Sequence, residues 1–289
     1  MFRIISMLAI LKAILIVIIF GVFLLLVYCD NKGEGVIMDE NNKKSLSLAK
    51  DLTITVIYDN NPYNEILETA WVFSCVIKGL DKTILFDTGG DGKILLDNME
   101  KLGINPGEIE LVVLSHIHGD HVGGLNSFLE ENPEVVVYLP RSFPGSFKDD
   151  IKNYGTKIVE VENPLEITKN AYSTGVQGVL IKEQSLILRT EKGLIVITGC
   201  AHPGIVKILR KAKDLLNEDV LFVMGGFHLI GVSSYKMEEI VTDFRKLGVR
   251  YIGPCHCLGD VARGLFEKEY KQNFINIGVG RILSMTELD

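Results

Sequence analysis

Residues 115–124 read Ser-His-Ile-His-Gly-Asp-His-Val-Gly-Gly, placing three imidazoles (His116, His118, His121) and the Asp120 carboxylate within six residues. The preceding ELVVL (Glu110–Leu114) is apolar and β-rich, so a strand runs into a His-rich loop. Strand parity sends His116 and His118 to one side. Gly119 then lets the chain turn so that Asp120 and His121 return to the same point. Desolvating three imidazoles and a carboxylate without a cation is costly, which makes the loop a metal site. Four nitrogen and oxygen donors from one loop, with distal ligands added, exceed what one tetrahedral ion needs. Two adjacent ions are expected.

The other three histidines extend the pattern. His202 lies in TGCAH, His228 in GGFHL and His256 in GPCHC. All six histidines fall at or just after expected strand ends, in loops that contain Gly or Cys. Around them the chain alternates. LTITVIYDN, TAWVFSCVIKG, KTILFDTGG, VVVYLP, TKIVEVEN, VLFVMGG and YIGPCHC read as strands, with FINIGVGRIL as a last one. KILLDNMEKLG, HPGIVKILRKAKDLL, SYKMEEIVTDFRKLG and DVARGLFEKEYK read as helices, and SLILRTEKGLIVITGC as a hairpin turning at Glu191–Gly193. Hairpins mixed with β–helix–β units predict an α/β (α+β) domain over residues 51–289, two sheets with helices outside.

Composition narrows the function. The 289 residues carry 30 Lys+Arg against 37 Asp+Glu, a net charge of −7. That balance argues against a nucleic-acid partner held by phosphate contacts and leaves a small-molecule substrate, phosphorylated or not. Five cysteines are too few for a disulfide-dense scaffold. The mean hydropathy of +0.24 has a local cause. Ala13–Cys29 is an uncharged apolar run preceded by Arg3 and Lys12 and followed by Asp30 and Glu34. Its length suits a bilayer about 30 Å thick. The flanking charges favour a single-pass N-terminal transmembrane helix over residues 1–29, with the catalytic domain outside the cytoplasm. A cleaved signal peptide is a rival reading, as is lipid modification at Cys29 within Leu26–Cys29. Residues 30–50 read as a flexible, polar linker.

The His-x-His-x-Asp-His run (His116, His118, Asp120, His121) resembles the signature of the metallo-β-lactamase superfamily. FDTGG (Phe86–Gly90), ITGCAH (Ile197–His202) and GPCHC (Gly253–Cys257) resemble its other landmarks, in the same order. The resemblance implies an αββα sandwich with the ions at one edge. His116, His118 and a distal His would hold the first ion, and Asp120, His121 and His256 the second. Asp87 would support the metal loop from behind. The family usually places its distal His before the late hairpin, but no His lies between His121 and His202, so His202 takes that role. Cys200 stands where a bridging residue is expected, as a ligand or as a small buried hydrophobe. His228 reads as a substrate-contacting or proton-transferring residue, or as a core-edge His bonded to backbone. Cys255 and Cys257 read as packing or minor redox residues.

TGCAHPGIV (Thr198–Val206), GGFHLI (Gly225–Ile230), PCHCLG (Pro254–Gly259) and GVGR (Gly278–Arg281) together resemble the branch that includes the dihydropterin–ribofuranosylaminobenzene 5′-phosphate synthases. Three functions follow as expectations. The first is a hydrolase using a metal-activated water, with Asp120 orienting the water and His228 protonating the leaving group. The second is a synthase condensing a dihydropterin with a ribofuranosylaminobenzene 5′-phosphate. The third is a non-catalytic or redox metal protein. Zinc is the first choice of metal, with iron or manganese as alternatives. In Pro140–Tyr154, read as a specificity loop, Arg141 and Lys148 are candidates to receive an anion.

Overall fold

The computed structural model describes residues 52–289. The Ala13–Cys29 run and the linker over 30–50 lie outside the described residues. No helix among the described residues is long and apolar enough to cross a membrane.

Two sheets stack face to face. The first contains β1 (Thr53–Asp59), β2 (Phe73–Lys78), β3 (Ile84–Phe86), β4 (Leu111–Val113), β5 (Val136–Pro140), β6 (Lys157–Val161) and the C-terminal β13 (Ile282–Ser284), in the order β13-β1-β2-β3-β4-β5-β6. The second contains β7 (Leu165–Thr168), β8 (Ala171–Ser173), β9 (Leu186–Thr190), β10 (Gly193–Thr198), β11 (Val220–Gly226) and β12 (Tyr251–Cys255), in the order β12-β11-β10-β9-β8-β7. Both faces of each sheet are covered, so its strands are apolar on both sides. Phe73, Cys75 and Ile77 of β2 and Ile195 and Ile197 of β10 meet in the central layer between the sheets. Their neighbours face outward: Val76 and Leu85 pack beneath α1 (Gly92–Lys101), and Leu194 and Val196 beneath α5 (Ile205–Leu216). The four-layer αββα sandwich expected from the sequence is the observed architecture.

The remaining helices are α2 (Gly119–Val122), α3 (Leu125–Glu131), α4 (Gly145–Asn153), α6 (Ser234–Lys246) and α7 (Asp260–Tyr270). Several boundaries differ from the sequence reading. The chain leaves the sheet after Val113, so His116 and His118 stand on a loop, and His118 is the N-cap of α2. Loop geometry, rather than strand parity, sets the ring of His118 4.7 Å from that of His116. Gly119 opens α2 with no positive φ. The stretch read as the Pro140–Tyr154 loop contains α4, and its Lys148 is committed to structure. Lys148 is buried, pairs with Glu160 at 2.9 Å and donates to the Arg141 carbonyl at 2.7 Å. The expected C-terminal strand over Phe274–Leu283 shrinks to β13, because Phe274 and Val279 make only single bridges.

Candidate metal centre

β10, β11 and β12 run parallel, as do β3 to β6. In such sheets the loops beyond the carboxyl ends of the strands are where ligands gather. Cys200 and His202 follow β10, His228 follows β11, His256 follows β12, and His116 to His121 follow β4. The two sheets therefore deliver their loops to one edge.

There the side chains form two adjoining groups, and a third, Cys200, His202 and His228, overlaps both. Ligand atoms of His116, His118 and His202 lie within 4.8 Å of one another, and so do those of Asp120, His121, Cys200 and His256. The rings of His116 and His121, centroids 4.2 Å apart, join the groups. His116 Nε2 faces His118 Nδ1 at 3.1 Å, and His121 Nε2 faces Cys200 Sγ at 3.3 Å. Asp120 Oδ2 lies 3.5 Å from His121 Nε2 and 3.2 Å from His256 Nε2. His202 Nε2 and both ring nitrogens of His256 are buried without a hydrogen-bond partner; the short approach of His256 Nε2 to Asp120 is not aligned as a hydrogen bond. Such orphaned nitrogens are costly, and a divalent cation satisfies them. Imidazole, carboxylate and thiolate donors suit zinc, and without the thiolate also iron or manganese. The residues present fit a metal centre.

Buried carboxylates hold three of the ligand loops. Asp87 Oδ1 accepts the Ser115 N–H, and its Oδ2 accepts the Ser115 hydroxyl and His121 Nδ1–H, each at 2.7 Å. The Ser115 hydroxyl, donating to Asp87, accepts His116 Nδ1–H at 2.9 Å. Both imidazoles are thereby fixed with bare Nε2 atoms toward the centre. Glu183, buried just before β9, accepts three successive backbone N–H groups from Cys200 to His202. Asp59, at the end of β1, accepts the His256 N–H at 3.2 Å. The sequence reading found Asp87 and missed Glu183 and Asp59. It also missed Trp71, half-exposed, whose ring lies 5.6 Å from that of His256.

Backbone strain collects here. Four of the seven non-glycine residues with positive φ among the described residues are Asp87, Ala201, His228 and His256. Each such conformation costs about 1–2 kcal/mol and persists because the surroundings over-determine it. The glycines beside the site are there for space. A Cβ on Gly199 would lie 2.1 Å from Ser115 Oγ, and one on Gly226 2.3 Å from the Gly199 carbonyl and 2.8 Å from Cys257 Sγ.

Electrostatics divide the histidines. Burial, reinforced by the neighbouring imidazoles, drives His116 far below the usual range. Burial and then His228 bring His202 down to about 4. Burial also acts against the His121 cation, but Asp87 overturns it, with Asp120 and Glu183 adding, so His121 is raised. Burial works against the Asp120 charge, yet His256 and His121 hold it down to about 2. Glu183 is pushed up to about 7 by burial, against the pull of its N–H donors. His228 is exposed, with its ring 4.4 Å from that of His202. The Cys257 thiol beside it raises its basicity. Cys255 is fully buried and pairs with Asp59, away from the ligand groups. Cys257 sits behind Cys200, whose carbonyl accepts its S–H at 3.7 Å.

The model of the metallo-beta-lactamase superfamily matches residues 72–220. The chain belongs to that superfamily. It is 29% identical over 269 residues to the 7,8-dihydropterin-6-methyl-4-(beta-D-ribofuranosyl)-aminobenzene-5'-phosphate synthase of Methanocaldococcus jannaschii, covering 78% of this chain and 92% of the relative. A crystal structure of a metal-dependent hydrolase of the beta-lactamase superfamily superposes with a TM-score of 0.69 at 32% identity, over 81% of this chain and 98% of that one. The short form of human tRNase Z shares the fold, with a TM-score of 0.54 at 13% identity over 80% and 98%.

Proposed function

We propose that this chain is a metal-dependent hydrolase of a small-molecule substrate. His116, His118 and His202 would hold one divalent cation, and Asp120, His121 and His256 a second, with Cys200 between them and zinc as the metal. The observation that carries this reading is the pair of adjoining ligand groups with buried, unpartnered nitrogens. Cations held there would supply an activated water and polarise the attacked carbonyl or phosphoryl oxygen. The chain's own residues do the rest. Asp87 and Ser115 hold the Nδ1–H sides of His121 and His116, so that each Nε2 lone pair faces the centre. Asp120 orients the attacking water. His228, exposed and basic beside Cys257, donates a proton to the leaving group. The resemblance to a solved metal-dependent hydrolase over nearly its whole length supports this class.

The Methanocaldococcus jannaschii relative favours a second reading, condensation of a dihydropterin with a ribofuranosylaminobenzene 5′-phosphate. Elemental analysis, followed by turnover with zinc, manganese or iron on ester, lactam and phosphodiester panels, tests the first reading. Incubation with the dihydropterin and the ribosyl phosphate tests the second. Metal without turnover on either leaves a non-catalytic or redox metal protein. Replacing His118 or Asp120 by Ala removes bound metal, and full occupancy in both variants would falsify the ligand assignment. We also propose that residues 13–29 anchor the domain to a membrane from outside the cytoplasm; recovery of the full chain in a carbonate-washed membrane fraction, accessible to external protease, checks it.

A further inference from the structure

His202 and His228 also line a cavity of about 430 Å³ walled by α5 and α6. That volume lies within the range of small-molecule sites. Its lining has two chemical halves. Val206 and Ile240 are half-buried and apolar, whereas Lys207, Arg210 and Lys236 are exposed. Asp243 is the single acid among the lining residues, so the lining carries a charge of about +2 in a chain whose net charge is −7. Two of the cations have weak local partners. Arg210 meets Asp243 at 3.2 Å, and Lys236 meets Glu239 at 2.7 Å across one helical turn, both in solvent. Exposed pairs of this kind contribute about 0–1 kcal/mol, so a dianion displaces them readily. Lys207 has no ion-pair partner among the described residues. A guanidinium beside an ammonium suits a phosphate better than a carboxylate, because the fork makes two parallel bonds to phosphate oxygens.

We infer that this cavity is the subsite for the phosphate group of the substrate, with the apolar body of that molecule against Val206 and Ile240 and its reacting bond toward His202. The inference rests on the metal centre being the reaction site, and His202 belongs to both.

Phenyl phosphate, benzoate and phenol are the probes, titrated by calorimetry into metal-loaded protein whose metal content is measured on the same sample. Phenyl phosphate binds, benzoate binds more weakly, and phenol does not bind measurably. Lys207→Glu weakens phenyl phosphate at least tenfold with metal content unchanged, and Lys207→Ala weakens it less. Lys93→Glu, an equal charge change on α1, leaves the affinity as it was. Equal losses in Lys207→Glu and Lys93→Glu overturn the proposal, since only overall charge would then matter. So does phenyl phosphate binding that is abolished by chelation and indifferent to Lys207, because the anion would then sit on the metal ions alone. A protein that binds no metal but still binds phenyl phosphate through Lys207 sinks the metal reading and leaves the anion subsite standing.

Discussion

Glu183 Oε2 accepts the backbone N–H of His202 at 2.8 Å, while its Oε1 takes those of Ala201 at 2.8 Å and Cys200 at 3.0 Å. One buried carboxylate thus shapes the turn on which a thiol and an imidazole reach the centre. Glu183→Gln keeps the volume but points an amide N–H₂ at a backbone donor. A buried donor left unmatched costs about 1–3 kcal/mol, and loss of such outer support lowers metal affinity about 10–100-fold. Chelator competition and thermal unfolding read the two effects. An unchanged metal affinity would show that the turn is set by Ala201 and Gly204 alone.

With both proposed positions loaded, the ions are expected to leave in sequence as acid is added. Protons compete with metal for imidazole. His121, raised through Asp87, accepts a proton on its bare Nε2 at a higher pH than His202, which burial brings down to about 4, or His116, driven lower still. Metal content after dialysis at falling pH therefore steps from two ions to one before reaching none, with the Asp120–His121–His256 position emptied first. Simultaneous loss of both ions contradicts this order.

Cys200 and Cys255 behave differently in a cobalt-substituted protein. Cys200 Sγ lies 3.3 Å from His121 Nε2 within a ligand group, and Cys255 lies outside it. A thiolate-to-cobalt charge-transfer band is present in the parent, absent in Cys200→Ser and retained in Cys255→Ser. A parent spectrum without the band makes Cys200 a packing residue.

Two glycines near the site answer oppositely to alanine. A Cβ on Gly119 meets nothing within 4 Å, and the residue is helical, so Gly119→Ala is neutral or stabilises by up to about 1 kcal/mol. A Cβ on Gly226 collides with the Gly199 carbonyl and Cys257, so Gly226→Ala costs about 1–3 kcal/mol or more. Chemical denaturation of the two variants measures both. Equal losses would mean that the turn after His118 needs glycine after all.

The ligand set was legible because imidazoles are few and all stand just past strand ends, where an apolar run meets Gly or Cys. The long strands and helices were legible from their periods. Glu183 and Asp59 were not. Each is one acid beside an apolar strand, and its partners lie 17 and 197 residues away in sequence. β7 and β8, of four and three residues, are too short for a period to register. In α4, Pro144 and Gly145 read as loop punctuation, whereas Pro144 is the N-cap and Gly145 the first helical residue. Lys148 looked free for the same reason: Glu160, which holds it, belongs to a later strand.

His118 and Asp120 extend from the seven-stranded sheet, and His202 and His256 from the six-stranded one. Any cation held by both sets is a rivet through the open edge of the sandwich, tying segments 84 residues apart at the His118–His202 position and 136 apart at the Asp120–His256 position. The folded state then gains resistance to heat in proportion to the logarithm of free metal. On the proposed reading, starvation for metal would silence the protein and, in the same act, mark it for turnover by loosening the two layers where they meet.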